Sequence, residues 1–207
     1  MSNSAYNISA FCSIKNNTIT LNGNVLYTHK AESFSAFIKA AYKAQDTKYP
    51  KFFKMDSLSK LAFLASDIVL KNENVTPENE QNIAILFSNK ASSLDTDRKH
   101  QDSIQNKDSY YPSPAIFVYT LPNICIGEIS IKYKLYSENS FFIFDNFNAE
   151  HLFAYSNSLL SSQKADAVLC GWVEFDDDNN YEAFVYLVSN TGNTEHNKQN
   201  IIKLYNT

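Results

Sequence analysis

Apolar residues fall along this chain in two rhythms, one with the period of a strand and one with that of a helix. From Tyr6 to Ile14 (YNISAFCSI) apolar and polar positions alternate, as on a half-buried strand. Asn16-Asn17 and Asn22-Gly23-Asn24 follow, which is turn chemistry and predicts a small hairpin or loop. In FSAFIKAAYKA, Phe34, Phe37, Ile38 and Ala41 stand at i, i+3, i+4 and i+7, a helical stripe with Ser33 placed to cap it. A second, stronger helix opens at Met55, with Leu58, Leu61, Ala62, Ala65, Ile68 and Val69 on one face. Ile83 to Phe87 (IAILF) is a continuous apolar run, the mark of a strand covered on both faces.

The stretch from Ser88 to Tyr111 is polar and reads as a helix-and-loop excursion over the surface. Pro122 suits the first turn of a helix over 123–134, and Gly127 lets that helix approach a neighbour. Phe141 to Asp145 is the next strand, Asn148 to Gln163 a helix, and Asp166 to Phe175 a nearly all-apolar strand. Asp176 to Asn180 is a turn before a last strand, Glu182 to Val188. So short a connection makes the last two strands antiparallel, whereas helical crossovers make the earlier neighbours parallel. The pattern is an α/β order of five strands. Residues 190–207 form a polar tail whose only apolar scrap is Ile201 to Tyr205. A chain of 207 residues is expected to be one domain with its own core.

Composition narrows the function classes. The chain carries a net charge of −4, and its 18 basic residues are scattered among acids, which leaves no basic stripe for nucleic acid. The N-terminus lacks the pattern of a signal peptide, and no apolar run approaches the ~20 residues that span a bilayer, so a cytosolic protein with no membrane span is expected. Cys12, Cys125 and Cys170 have no metal-ligand spacing and read as buried, reduced thiols. His29, His100, His151 and His196 lie in unrelated elements, and Asp176 to Asp178 lacks the spaced ligands of a calcium loop. Neither metal nor cofactor is expected.

Two phrases carry a resemblance: SPAIFVYTLPNICIGEISIKYKLYSENSFFIFDN, from Ser113 to Asn146, and KMDSLSKLAFLAS, from Lys54 to Ser66. Together they resemble the N-terminal half of the β-ketoacyl synthases, over about residues 50–190. The resemblance implies half of a thiolase-like fold: a five-stranded mixed sheet of order 3-2-1-4-5, last strand antiparallel, with helices on both faces and FFIFD on an edge. In a synthase the strand equivalent to FFIFD delivers a cysteine to the tip of a helix. Aligning Lys164 to Leu169 with the strand after that helix puts Asn146 at the cysteine position, and an amide cannot form the thioester. The two histidines of a synthase's second half have no counterpart in the matching stretch.

What the resemblance implies is a non-catalytic subunit, a chain-length factor like those of aryl-polyene or flexirubin pigment systems. Its partner would be an active β-ketoacyl synthase, with the acyl carrier protein as a second candidate. The gate loop would line the acyl tunnel through Ala115, Ile116 and Phe117, with Ile116 limiting its depth and Phe117 as the alternative. The competing reading has both packed beneath their own sheet. Phe141, Phe142, Ile143, Phe144 and Asp145 would pair edge to edge with the partner. Two rivals stand beside this reading: an acyltransferase or thioesterase using Cys125, and a homodimeric structural protein that binds acyl carriers.

Overall fold

A computed structural model describes residues 6–106, 108 and 111–207. Two strands determine its architecture. β4 (Ile83–Asn89) is buried at every position, and the strand Ala167–Asp177, here β6, is buried from Val168 to Phe175. Such strands must be covered on both faces, and they lie side by side in parallel, Ile83 opposite Ala167. On the other side of β4, β5 (Asn139–Ile143) also pairs in parallel. β7 (Asn180–Ser189) folds back on β6 as an antiparallel hairpin, in register from Ala167 and Ser189 to Phe175 and Tyr181, with a shift before Asp177 meets Asn180.

The first strand, β1 (Asn7–Lys15), lies antiparallel against β7 and begins a meander with β2 (Thr18–Leu21) and β3 (Asn24–Thr28). Asn16 and Asn17 have φ of 49° and 57°, and Asn22 and Gly23 have 51° and 80°. Two consecutive left-handed residues close a hairpin whose twist matches its strands, and asparagine and glycine tolerate that backbone best. A two-residue strand, β8 (Thr194–Glu195), pairs with the start of β1.

The sheet order is β3-β2-β1-β7-β6-β4-β5, which corrects the expected 3-2-1-4-5. In the numbering of five expected strands it runs 3-2-4-5-1: the first strand lies beyond the last one rather than between the second and fourth. Its sequence explains this. Asn7, Ser9 and Phe11 of β1 are only half-buried, whereas β4 and β6 are apolar at successive positions and pair directly, with no strand between them. The antiparallel last strand and the edge position of the FFIFD strand are as expected.

Helices cover both faces. On one side α1 (Phe34–Ala44), α2 (Ser57–Asn72) and α5 (Ile124–Tyr133) bury Phe37, Leu61, Phe63 and Ile129 against Phe87 and Val173. On the other, α6 (Ala149–Ser161) and α7 (Lys198–Tyr205) bury Leu152, Leu160 and Ile201 against Val168, Cys170 and Tyr186. Ser33 caps α1, its hydroxyl accepting from the Ala36 N–H at 3.2 Å, and Asp56 caps α2 by accepting from the Ser59 N–H at 3.0 Å. Fully buried Asp67 in α2 accepts from the hydroxyls of Thr47 (2.7 Å) and Tyr133 (2.6 Å) and pairs with Lys71 (2.7 Å), tying α2 to α5. At Gly171 a Cβ would stand 2.9 Å from the Phe87 ring, so glycine leaves the room that this ring occupies beside β6. No single helix among the described residues is long and apolar enough to cross a membrane.

The segment read as a polar tail is part of the second core. Asn197 caps α7, accepting from the Asn200 N–H at 2.8 Å, Ile201 is fully buried, and the Tyr205 ring stacks on Phe147 at 3.9 Å between centroids. Ile201, Leu204 and Tyr205 keep helical spacing, a signal too short to stand out among the polar residues around it.

Just before α7, His196 is buried between Asn157, whose side-chain oxygen lies 3.2 Å from Nδ1, and Tyr186, whose hydroxyl lies 3.5 Å from Nε2. Burial pushes its pKa down to about 4 from the ordinary 6.5. Below pH ~6.5 the unfolded chain binds a proton here that the folded chain refuses, so stability is intact above that pH and falls as pH drops toward 4. The loss reaches about 3 kcal/mol, at about 1.4 kcal/mol for every pH unit that separates the folded and unfolded pKa values. Urea midpoints measured between pH 7.5 and 4.5 should decline steeply in the native protein and more shallowly in His196→Gln.

Candidate functional site

Because β4, β5 and β6 run parallel, their carboxyl ends open on one side of the sheet, where α/β folds place their sites. Lys90 and Ala91 leave β4 there, Asp145, Asn146 and Phe147 leave β5, and Trp172 and Glu174 stand on β6. With Glu182 and Tyr205 they surround a cleft of about 510 Å³.

The cleft is held by its acids. The Glu174 carboxylate, 8% exposed, accepts from the backbone N–H groups of Lys90 (2.6 Å) and Ala91 (3.1 Å), which fixes the turn after β4. That turn is closed a second time by Asn89, whose side chain donates to the Ser92 carbonyl at 2.9 Å and accepts from its N–H at 3.0 Å. Burial raises the pKa of Glu174, and nearby Asp176 and Glu182 add to the rise while the two backbone donors oppose it. Glu182 accepts from the Trp172 indole N–H at 3.0 Å and the Tyr205 hydroxyl at 2.6 Å, and burial followed by this carboxylate raises the tyrosine's pKa. The carboxylates therefore spend their acceptors on fixed donors of the same chain, an arrangement that shapes a wall.

Asn146 is exposed at the edge of this cleft, between β5 and Asn148, which caps α6 by accepting from the His151 N–H at 2.9 Å. It thus occupies a strand–turn–helix junction at the carboxyl end of the sheet. A thiolate there would be activated by the helix N-terminus, but a neutral amide neither ionises nor takes an acyl group. Cys125 lies elsewhere, fully buried in α5, where burial and then the Asp56 carboxylate push its thiol well above the ordinary range. Cys170 is equally buried, its pKa pushed up to about 12 by desolvation.

Ala115, Ile116 and Phe117 belong to a single helical turn, α4 (Pro114–Phe117), which continues as a tighter turn over Val118–Thr120. They do not pack beneath their own sheet. Phe117 is 62% exposed and Leu121 58%, Val118 is also exposed, and only Ile116 is half-buried. Ala115 and Ile116 line a second cleft of about 390 Å³ together with Met55, Lys60 and Tyr119. The two clefts have no lining residue in common.

The FFIFD strand lies at the end of the sheet, but its span is Asn139–Ile143, so Phe144 and Asp145 follow it. Phe144 still donates its N–H to the Asn89 carbonyl at 2.9 Å, and Asp145 lines the larger cleft. Phe141 packs into the core with α2 and α5. Phe142 turns to the opposite face, its ring 4.4 Å from that of His151 and 5.5 Å from that of Tyr155. Ile143 is left about half exposed, at 49%. Sequence reasoning missed Trp172, Glu174, Glu182 and Tyr205. The one signal for them was a glutamate inside an otherwise apolar strand, DAVLCGWVEF.

Among solved structures, a chain of the ishigamide ketosynthase/chain length factor superposes with a TM-score of 0.67 at 16% identity, over 89% of this chain and 62% of that one. A chain of the ketosynthase ApeO in complex with its chain length factor ApeC, from Xenorhabdus doucetiae, gives 0.61 at 12% identity, over 98% of this chain and 90% of that one. This is a ketosynthase-type fold. The chain also superposes on a chain of the AntDE:AntF complex, a type II PKS acyl-carrier protein with its ketosynthase, with a TM-score of 0.60 at 12% identity over 96% of this chain and 64% of that one. It thus spans less than two thirds of the chain in the first and third of these structures. No protein-family profile matches it, and no curated protein matches it either.

Buried as it is, Cys125 should stay unreactive in the folded chain. Intact mass after incubation with an acyl-carrier thioester should show no adduct, and thiol reagents should label it only in denaturant. A stable acyl group on Cys125 in the native protein would revive the acyltransferase or thioesterase reading.

Proposed function

We propose that this chain is a non-catalytic chain-length factor: it pairs with an active β-ketoacyl synthase in the cytosol and shapes the tunnel in which an acyl chain of polyene or fatty-acid type grows. The observation that carries the reading is Asn146, an amide at the strand–turn–helix junction where the resemblance requires a cysteine. The match over 90% of a chain in the ApeO/ApeC complex supports it further, since a chain of comparable length occurs there in an assembly of a ketosynthase with a chain length factor. On this reading the whole chain acts as one ketosynthase-like domain, and the acyl carrier protein is a further partner.

Pairing is assigned to the edge of β5, at the end of the sheet. An edge strand with its backbone groups open invites a second strand, and the exposed Ile143 side chain adds apolar area beside it. Ile143→Lys leaves the inward rings of Phe141 and Phe142 in place and puts a charge on the docking face. Co-purification with the complete ketosynthase of the same genome should fall at least tenfold for this variant, while its urea midpoint stays near the native value. Undiminished co-purification would move the interface elsewhere, and a native protein that only self-associates would favour the homodimeric acyl-carrier-binding reading.

Tunnel length is assigned to α4, with Ile116 at the closed end and Phe117 as the neighbouring candidate. The exposure of this apolar turn supports the assignment, because a partner's surface is needed to cover it. Overpacking against a long acyl chain costs typically ~1–3 kcal/mol, enough to shift the product by one extension step. Products of the reconstituted pair should therefore lengthen with Ile116→Gly and shorten with Ile116→Trp by mass spectrometry. The same distribution from both, in an intact complex, would mean that the subunit does not measure length through this turn.

A further inference from the structure

Apart from the Phe117 ring, 5.4 Å from that of His100 on α3 (Leu94–Ile104), the apolar side chains of α4 have little packing of their own, yet the turn holds Ile116 at the mouth of the smaller cleft. The hold comes from the residues that follow it. Tyr119 is 7% exposed amid the exposed Phe117, Val118 and Leu121, and its ring is part of the core formed with α2 and α5. Its hydroxyl donates to Glu128 Oε1 at 3.0 Å. Glu128, 3% exposed in α5, also receives the Tyr49 hydroxyl on Oε2 at 3.3 Å and the Lys51 ammonium on Oε1 at 2.9 Å. Its charge is thereby balanced and both oxygens are engaged, so the acceptor is fixed before Tyr119 reaches it.

The next residue supplies a second point of attachment. The Thr120 carbonyl accepts from the Ser93 hydroxyl at 2.7 Å, and the Thr120 hydroxyl donates back to the Phe117 carbonyl at 2.8 Å, closing the turn. Ile116 and Tyr119 are three residues apart in continuous helical turns, so they share a face, and both line the smaller cleft. Any displacement of the tyrosine is passed on to the isoleucine.

We infer that Glu128 is a positioning residue: through Tyr119 it fixes the height of the α4 tip and so sets how sharply the pair limits product length. This rests on the chain-length-factor reading, and Glu128 touches no acyl chain itself. A carboxylate on the far side of the turn thus governs uniformity of length, while Ile116 governs the length.

Two measurements test this, one on the chain alone and one on the reconstituted pair. In Tyr119→Phe, which keeps the ring and loses one hydrogen bond to a charged acceptor, amide hydrogens of residues 115–121 should exchange about tenfold faster, with those of β4 and β6 unchanged. In the pair, Tyr119→Phe and Glu128→Gln should spread the product over at least one more extension step at unchanged complex yield, whereas Ile116→Gly should move the whole distribution. Unchanged exchange in Tyr119→Phe overturns the inference, and this arm decides even if Glu128→Gln fails to fold. A shift with Ile116→Gly and none with Tyr119→Phe overturns it while leaving the chain-length reading standing. If the Ile116 variants change nothing, the subunit does not measure length through this turn, and the exchange result alone decides whether Glu128 holds it.

Discussion

The structure depends on one constraint: β4 is buried at all seven positions, so nothing may be left open around it. Its backbone donors and acceptors must pair along both edges, which calls for β5 and β6, and its side chains must be covered above and below, which calls for two helical layers. Parallel pairing then forces each connection to cross over through a helix and sends the carboxyl ends of three strands to the same side. The larger cleft is where those ends diverge.

At that cleft, polar chemistry builds shape. Glu174, Glu182, Asn89 and the indole of Trp172 satisfy one another or the backbone, and the residue between β5 and α6 is an amide. Glu174 is a buried acid with a raised pKa, the kind of group that often marks a reaction centre. Its two oxygens nevertheless hold the turn between β4 and α3 (Leu94–Ile104). The same economy recurs at Glu128, where a buried carboxylate is spent on holding a surface turn. In both places a buried carboxylate is engaged by groups of the same chain, backbone N–H groups at Glu174 and two phenols and an ammonium at Glu128.

Much of this was legible in the sequence wherever one signal was strong by itself. The Ser33 cap, the long apolar face of α2, the continuous run of β4 and the short β6–β7 turn all stand where the pattern put them, and the FFIFD strand lies on the edge that the resemblance implied. The sheet order was not legible, because it turns on which strand tolerates polar neighbours. Asn7 and Ser9 keep β1 out of the place between β4 and β6, but only when set against the unbroken apolar runs of those two strands. α7 was hidden by its length: eight residues with one fully buried side chain leave no visible stripe. The Tyr119–Glu128 contact joins residues nine apart in sequence whose meeting depends on the bend between two helical segments, and sequence spacing does not show that bend.

The two ends of the sheet are unequal. At β5 the pairing with β4 runs in regular parallel register through Ile143, but at the far end the pairing of β2 with β3 slips between Ile19 and Thr20, and Val25 and Leu26 stand out into water. Such a bulge adds twist, and a twisted margin resists being laid flat against another strand. Edge-to-edge growth is therefore favoured in one direction only. A chain that joins another through β5 presents its irregular margin outward, so the continued sheet stops at two chains and does not run on as a fibre.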